Sequence, residues 1–466
     1  MQQAIQTVDV IAVEIQALRH RVQGEVVTPA DANWDEARMA WNLAVDQRPA
    51  AVAVPVSAHD VVEIVRFARD RGLKVAAQST GHNAAPMQNA LADTVLVKMH
   101  RLQDVEIDPV ARIARVGAGT IWIQAVEAAA EHGLATLAGS SPDVGIAGYS
   151  LGGGLSWLGR KHGLQANQVT AIEIVTADGN LRRVDRDNDP DLFWALRGGS
   201  GNFGVVTAIE FRLHPLREVY AGMLVFPQER AEEVLKTWRR IVPSLPDEMT
   251  TVGRILNVPP LEEIPEPVRG RSLVVVEAIY LGDEAEGAAM IQPLRDLGPE
   301  MDTMATVPVP ALSHLHMDPE HPVPGAGDTR LLSDLPDEAI DSMLAAAGPG
   351  SGSALLSLEI RQLGGAIARP APDHGAIAAI DAPFVMFAVG MTPTPEVHEA
   401  VQASLHRIMD ATAAYDAGQA YSNFVEKPVE AGRLYAPTVY RRLREVKAEY
   451  DPAELFRANH PIPPAR

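Results

Sequence analysis

A histidine stands in a loop of small residues, Ser79-Thr80-Gly81-His82-Asn83-Ala84-Ala85-Pro86. An apolar run over 73–77 leads into it. No side chain in the loop is bulky enough to fill a core. Successive backbone N–H groups in such a loop can surround an anion, while the imidazole offers a nucleophile. Taken alone, the loop reads first as a glycine turn with a surface histidine. Three more loops are rich in glycine and small polar residues: 117–120, 139–154 and 198–204. Glycine lets backbone approach a large ligand because no Cβ stands in the way. Four such loops in one region suggest a single extended ligand of dinucleotide size.

The elements that must hold these loops follow from periodicity. Residues 51–56, 75–78, 94–98, 105–108 and 113–116 read as strands, and 58–71 as a helix with Val61, Val62, Ile64, Val65 and Ala68 on one side. A helix opens after Gly117-Ala118-Gly119-Thr120 and stops near His132-Gly133. Residues 171–176 and Val184 flank a hairpin turn at 177–180, and 205–213 form a further strand. Beyond about 215 the pattern changes. Strands are expected at 220–226, 250–256, 272–280, 354–359 and 384–389, and helices at 230–241 and 395–415. That is an α+β pattern on an antiparallel sheet. Residues 308–330, rich in Pro, His, Asp and Gly, read as a loop, and 435–450 as a charged helix.

Several chemistries are excluded. There is no cysteine, hence no disulfide, thiolate catalysis or Cys-ligated metal. Gly199-Ser200-Gly201-Asn202-Phe203-Gly204 matches GxGxxG, but a helix-like stretch precedes it and a strand follows. A Rossmann fingerprint needs the reverse. His314, His316 and His321 lack spaced partner ligands and read as loop histidines, so no metal is expected. With 60 acidic and 40 basic residues the net charge is −20, which disfavours nucleic acid and anionic membranes as partners. Residues 1–24 read as an amphipathic helix rather than a signal peptide, and no apolar run is long enough to span a bilayer. The default expectation is a cytoplasmic protein, monomeric or homodimeric.

Together these residues resemble the FAD-linked oxidases of the vanillyl-alcohol oxidase superfamily, which share the PCMH-type FAD-binding fold. Residues 79–83 are similar to its flavin-attachment loop, and 141–154 (Ser-Pro-Asp-Val-Gly-Ile-Ala-Gly-Tyr-Ser-Leu-Gly-Gly-Gly) to the second flavin loop of its berberine-bridge-enzyme-like branch. Residues 191–207, Tyr421-Ser422-Asn423 and the C-terminal Tyr450-Asp451-Pro452 resemble further motifs of that branch. The resemblance implies a two-subdomain FAD-binding domain over 1–215, a substrate domain over 216–418 with an antiparallel sheet covered by helices, and a segment over 419–466 returning to the first domain.

By resemblance His82 is joined to the flavin 8α-methyl, the alternative being a free histidine beside non-covalent FAD. Some relatives add a cysteine link where this chain has Ser141, so single attachment is expected. The resemblance carries cofactor contacts onto Ser79, Thr80, Gly81, Asn83, Gly139, Ser140, Ser141, Val144, Gly145, Gly148, Tyr149, Gly152, Gly153, Gly154, Asn202, Gly204, Val206, Asn423 and Asn459. The chain departs from the pattern in three places. Gln78 replaces an arginine, leaving one less charge for the pyrophosphate; Thr80 replaces a glycine; and Asp143 stands where a neutral residue is usual. Val144 occupies a small-residue position that leaves room for oxygen.

Tyr421 is the first candidate for catalytic base. A phenol near pKa 10 needs a cation beside it, for which Lys427 and Arg433 are candidates, or else Tyr421 only packs against the flavin. Glu359, alternating with Arg361 on a strand, is the second, the alternative being a salt-bridged face. The expected activity is hydride transfer from a small organic substrate to FAD, with O2 reoxidising the flavin to give H2O2, in secondary metabolism. The alternatives are an oxidative cyclase or oxygenating enzyme, and a flavin- or ligand-binding protein without catalysis.

Overall fold

The computed structural model describes residues 15–260, 262, 264 and 266–466. The N-terminal helix expected over 1–24 lies outside the described residues up to position 14; residues 15–19 are helical.

The first sheet runs Glu25–Val27, Ala51–Val54, Thr94–Lys98, Lys74–Gln78 in space. Its last three strands are parallel. Helix Ala58–Asp70 is the crossover, with Val61, Ile64, Val65 and Ala68 buried at helical spacing. The Ser57 hydroxyl caps it by accepting the Asp60 N–H at 3.2 Å. Asp60 is itself buried, but its carboxylate accepts the N–H groups of Gln23, Gly24 and Val56 at 2.8, 3.0 and 2.9 Å. Three donors offset the cost of burying that charge.

The second sheet is antiparallel, in the order Val105–Asp108, Ile113–Gly117, Val205–Arg212, Val169–Val175, Leu181–Asp185. The two sheets share one apolar core. Helix Trp122–Ala130 follows the 117–120 loop as expected, and the chain turns at Gly133 with φ +68°.

The third sheet has eight strands, all antiparallel. One face carries Leu358, Ile360 and Met386 into a core shared with helices Ala231–Ile241, Asp337–Ala347 and Pro395–Ala411. Side chains alternate along a strand. The opposite face therefore carries Glu359 and Arg361 beside their register partners Phe387 and Val385. Val385 and Leu331 on that face cluster with Tyr421 of the C-terminal segment. This face of the sheet thus meets the C-terminal segment, and the architecture is α+β.

Two expectations are corrected. The segment 308–330 is not simply a loop: short helical turns occupy Val309–Ala311 and Leu312–Leu315, and a strand, Gly325–Leu332, begins inside it. The strand expected at 354–359 lies at Ser357–Gln362. Helices Glu284–Arg295 and Asp337–Ala347 were not expected.

The C-terminal segment packs back on the N-terminal half. Val75 N–H donates to Leu455 O at 2.9 Å and Arg457 N–H to Val75 O at 2.8 Å, extending the first sheet past its edge strand. Buried Lys447 donates to Asp451 and, at 2.6 Å, to Asn202 O.

Candidate active site

Loop 79–83 leaves the C-terminal end of strand Lys74–Gln78 and meets loop 139–154 edge on. A Cβ on Gly145 would stand 2.3 Å from Ser79 Oγ, and one on Gly152 2.0 Å from Asn423 Oδ1. Gly153, at φ +128°, would bring a Cβ within 2.9 Å of the Tyr421 ring. Only glycine permits these approaches. Side-chain amides tie the three segments together. Asn83 Nδ2 donates to Ser422 O at 3.3 Å, Asn423 Nδ2 to Tyr149 O at 2.9 Å, and Asn459 Nδ2 to Asn83 O at 2.5 Å. Tyr149 is fixed through its hydroxyl to Leu137 O at 3.0 Å and packs on Gly139 and Gly154.

His82 is held on three sides. Thr80 Oγ1 lies 2.7 Å from its Nδ1. The Trp41 indole stacks on the imidazole with centroids 4.1 Å apart and planes at 19°. Its Nε2 lies 3.3 Å from Asp143 Oδ1, close enough for charge pairing but off hydrogen-bond alignment. Asp143 also accepts the Trp41 indole N–H and, at 3.1 Å, the Ser141 hydroxyl. Burial works to raise the Asp143 pKa, but His82, Trp41 and Ser141 outweigh it and hold the carboxyl below its ordinary range.

Behind this loop a cavity of about 390 Å³ opens between the first two sheets, lined by Ser79, Thr80, Val54, Lys98, Gly119 and Ile121. Lys98 is buried, and its ammonium donates to Gln78 Oε1 at 2.8 Å and Met39 O at 2.7 Å. Desolvation lowers it to about 8. A lysine of the neighbouring strand, in direct register with Gln78, brings a cation to this position.

The open face of the third sheet carries a buried ion network. His316 Nδ1 lies 2.8 Å from Glu277 Oε2 and its Nε2 2.6 Å from Glu359 Oε2. Glu359 Oε1 accepts Arg361 Nε at 2.8 Å. Arg361 reaches Ser140 Oγ at 3.2 Å, and Ser140 donates to Asp318 at 2.9 Å. The guanidinium lies 5.5 Å from the Phe424 ring and 5.6 Å from Trp157. Burial raises the Glu359 pKa, but Arg361 and His316 more than reverse this and hold the group well below the carboxylate range. Burial and Arg254 oppose charge on His316; Glu277 and Glu359 prevail and raise it to about 9.

Tyr421 is buried at 2 % exposure, and among the described residues no side chain pairs with its hydroxyl, while the Gly154 N–H faces it. Burial pushes the phenol far up; the Gly154 N–H and Arg361 offset only part of this. Two residues beyond Phe424, Glu426 accepts the Gly327 N–H at 2.8 Å. Gly327 faces Phe387, whose ring meets Phe424 edge on at 5.4 Å. Burial lifts Glu426 to about 7, against the Gly327 N–H that pulls it down.

Several expected roles change. Glu359 has both oxygens in ion pairs, so it is not free to take a proton. Lys427 pairs with Asp328 at 2.6 Å and Arg433 faces Asp416 at 4.0 Å, so neither serves Tyr421; Arg361 is the cation that the phenol senses. Asn202 is spent on the C-terminal segment, donating to His460 O at 3.2 Å and accepting Ile462 N–H at 2.9 Å. Gly204 and Val206 lie where the second sheet begins: a Cβ at Gly204 would meet Val175 O at 2.6 Å, and Val206 pairs with Ile174. His316 is a core residue, not a loop histidine. Trp41, Lys98, His316 and Glu426 were missed. For Lys98 a signal existed, since it is a lone charge ending the apolar run 94–98.

The titration of Glu426 yields a stability prediction. Its folded value of about 7 lies above the ordinary 4.5, so the neutral form favours the fold and that contribution is lost as pH rises from 4.5 through 7. Glu426→Gln is expected to raise the melting temperature at pH 8 and leave it unchanged at pH 4.5. An equal effect at both pH values would show that the carboxylate does not titrate there.

The residues fit a flavin dinucleotide. Buried polar atoms without partners, Ser79 Oγ, Asn83 Oδ1, Tyr421 Oη and Asn423 Oδ1, gather where the loops converge, and Gly148 opens onto empty space. The fold and site define an FAD-linked oxidoreductase. Residues 49–185 match the FAD binding domain family and 420–463 the family described as berberine and berberine like. The chain is 30% identical to (R)-6-hydroxynicotine oxidase of Paenarthrobacter nicotinovorans, over 95% of this chain and 97% of that one. The solved 6-hydroxy-D-nicotine oxidase of Arthrobacter nicotinovorans superposes with a TM-score of 0.82 at 27% identity, covering 95% and 98% of the two chains. Physcomitrella patens BBE-like 1 shares the fold, with a TM-score of 0.83 at 21% identity over 97% and 99%. The chain belongs to the berberine-bridge-enzyme-like family of FAD-linked oxidases. Among the described residues no helix is long and apolar enough to cross a membrane.

Proposed function

We propose that this enzyme holds FAD covalently through His82 and oxidises a carbon bonded to an amine nitrogen, with O2 as the electron acceptor. The chemistry bound FAD supplies is two-electron acceptance: a hydride at N5, then electrons passed to O2 as H2O2. Loops 79–83 and 139–154 would line the isoalloxazine and pyrophosphate, with the Lys98 ammonium near the phosphates. Tyr421, Phe424, Phe387 and Arg361 would border the substrate.

The observation that carries the amine reading is the state of Tyr421. Its phenol is buried and held protonated, and Glu359 is locked in ion pairs. An alcohol carbon needs its O–H proton removed as hydride leaves, which calls for a base in the ionised state. A neutral amine needs none, because its lone pair takes up the developing charge. Such substrates arrive largely as ammonium ions, which a protein of net charge −20 attracts. Glu426, lifted by burial to about 7, would take up the ammonium proton in its ionised form.

The test is anaerobic flavin bleaching against a panel of amines, alcohols, sugars and phenols, followed by peroxide assay in air. Bleaching by amines with one H2O2 per turnover is the expected result. Bleaching by sugars or alcohols alone overturns the amine reading. If no compound bleaches the flavin, the chain binds flavin without catalysis. On a denaturing gel, flavin fluorescence should follow the wild-type band and be absent from His82→Ala.

A further inference from the structure

We infer that Asp143 is the positioning residue that readies His82 for attachment to the flavin, its carboxylate biasing the imidazole proton towards Nε2 and leaving Nδ1 as the attacking nitrogen. The inference rests on covalent attachment through His82, proposed above. Asp143 is the anomaly of the second flavin loop, and the fold explains its place. The loop brings its carboxylate to 3.3 Å from His82 Nε2, while Trp41 clamps both partners, stacking on the imidazole and donating its N–H to the carboxylate. Side-chain exposure is 21% for His82 and 17% for Asp143, so water screens the pair only partly.

The tautomer follows from the charge. A carboxylate beside Nε2 favours a proton on that nitrogen. Nδ1 then carries the lone pair, and the Thr80 hydroxyl, 2.7 Å away, donates to it. In the attachment step a bond forms between Nδ1 and the 8α-carbon, and one C–H bond of that methyl breaks. The C–H hydrogen leaves as a proton, and the Nε2 proton passes to Asp143. Two electrons are removed from the joined pair and reduce O2, which with the two protons becomes H2O2. Without the carboxylate the imidazole would gain positive charge beside an indole, with no acceptor in reach.

The test uses the full chain expressed under flavin starvation and then loaded with FAD in air. Tethering is read as flavin retained after acid precipitation, and non-covalent binding as quenching of FAD fluorescence. Asp143→Asn is expected to bind FAD within a few-fold of wild type but to tether it about 10²-fold more slowly. Asp143→Glu should recover at least tenfold of that loss, which a purely structural role would not. Trp41→Phe keeps the ring stack but removes the N–H that helps to fix the carboxylate, so it should tether at a rate between those of wild type and Asp143→Asn. Tethering by Asp143→Asn at the wild-type rate, or by Trp41→Phe more slowly than by Asp143→Asn, overturns the inference. Should Asp143→Asn fail to fold, the Asp143→Glu and Trp41→Phe rates decide alone: loss in either overturns it. Wild-type protein without acid-stable flavin would instead overturn the covalent reading itself.

Discussion

Tyr421→Phe is expected to slow anaerobic flavin reduction by an active amine about 10²-fold, because the phenol oxygen is lost as an acceptor for the amine N–H as positive charge develops on the nitrogen. FAD content and melting temperature should stay unchanged. The substitution removes only the hydroxyl. The ring, packed against Phe424 with centroids 5.7 Å apart and against Gly153, is kept. Among the described residues no side chain pairs with that hydroxyl, so its removal orphans no side-chain group. Because burial holds the phenol protonated well above the working range, the wild-type rate should show no inflection between about pH 8 and 10 that the variant lacks. Such an inflection would identify Tyr421 as a phenolate base and return alcohols to the front. A variant within threefold of wild type would remove Tyr421 from the chemistry.

The contrast between Tyr421 and the residues that serve it shows which parts of the site can be read along the chain. Tyr421, Asn423 and the glycines of 139–154 lie in short contiguous runs, where type and spacing are visible together. Trp41 and Asp143 are 102 positions apart, and His316 lies 39 from Glu277 and 43 from Glu359. Nothing local marks such partners; only the pairing of the strands and loops brings them together. The strand Gly325–Leu332 was hidden for a related reason. Its Gly-Ala-Gly-Asp start has poor strand propensity, and its pairing with Phe384–Met391, an apolar strand readable by itself, imposes the conformation. Helix Ala58–Asp70 is the opposite case, with cap, apolar stripe and crossover position all agreeing. Glu359 shows the limit of strand alternation. It placed Glu359 and Arg361 on one face, but not the histidine inserted from 316 that converts a candidate base into a locked anion.

That locked anion makes the largest stability prediction. Glu359→Gln is expected to destabilise the protein by about 3–5 kcal/mol at pH 6, because it leaves buried cations on His316 and Arg361 without their shared carboxylate. The pH dependence supplies a second, independent signature. The folded His316 value of about 9 stands above the ordinary 6.5, so the stability it contributes is complete below pH 6.5 and lost as pH climbs through 9. The wild-type denaturation midpoint in urea should therefore fall between pH 6.5 and 9.5. In Glu359→Gln, with one of the two carboxylates gone, His316 titrates lower, so this fall should be smaller and end at a lower pH. A variant as stable as wild type at pH 6, with the same fall, would mean that His316 is neutral in the fold. Arg361 ties this network to the substrate side, since the residue released by the substitution is the one packed against Phe424 and sensed by Tyr421. Slower flavin reduction at a pH where Glu359→Gln remains folded would then report the loss of a held guanidinium, not of a proton acceptor. A rate limb near pH 7 that survives in Glu359→Gln but vanishes in Glu426→Gln would separate the two carboxylates: one fixes the cation of the site, the other takes up a proton.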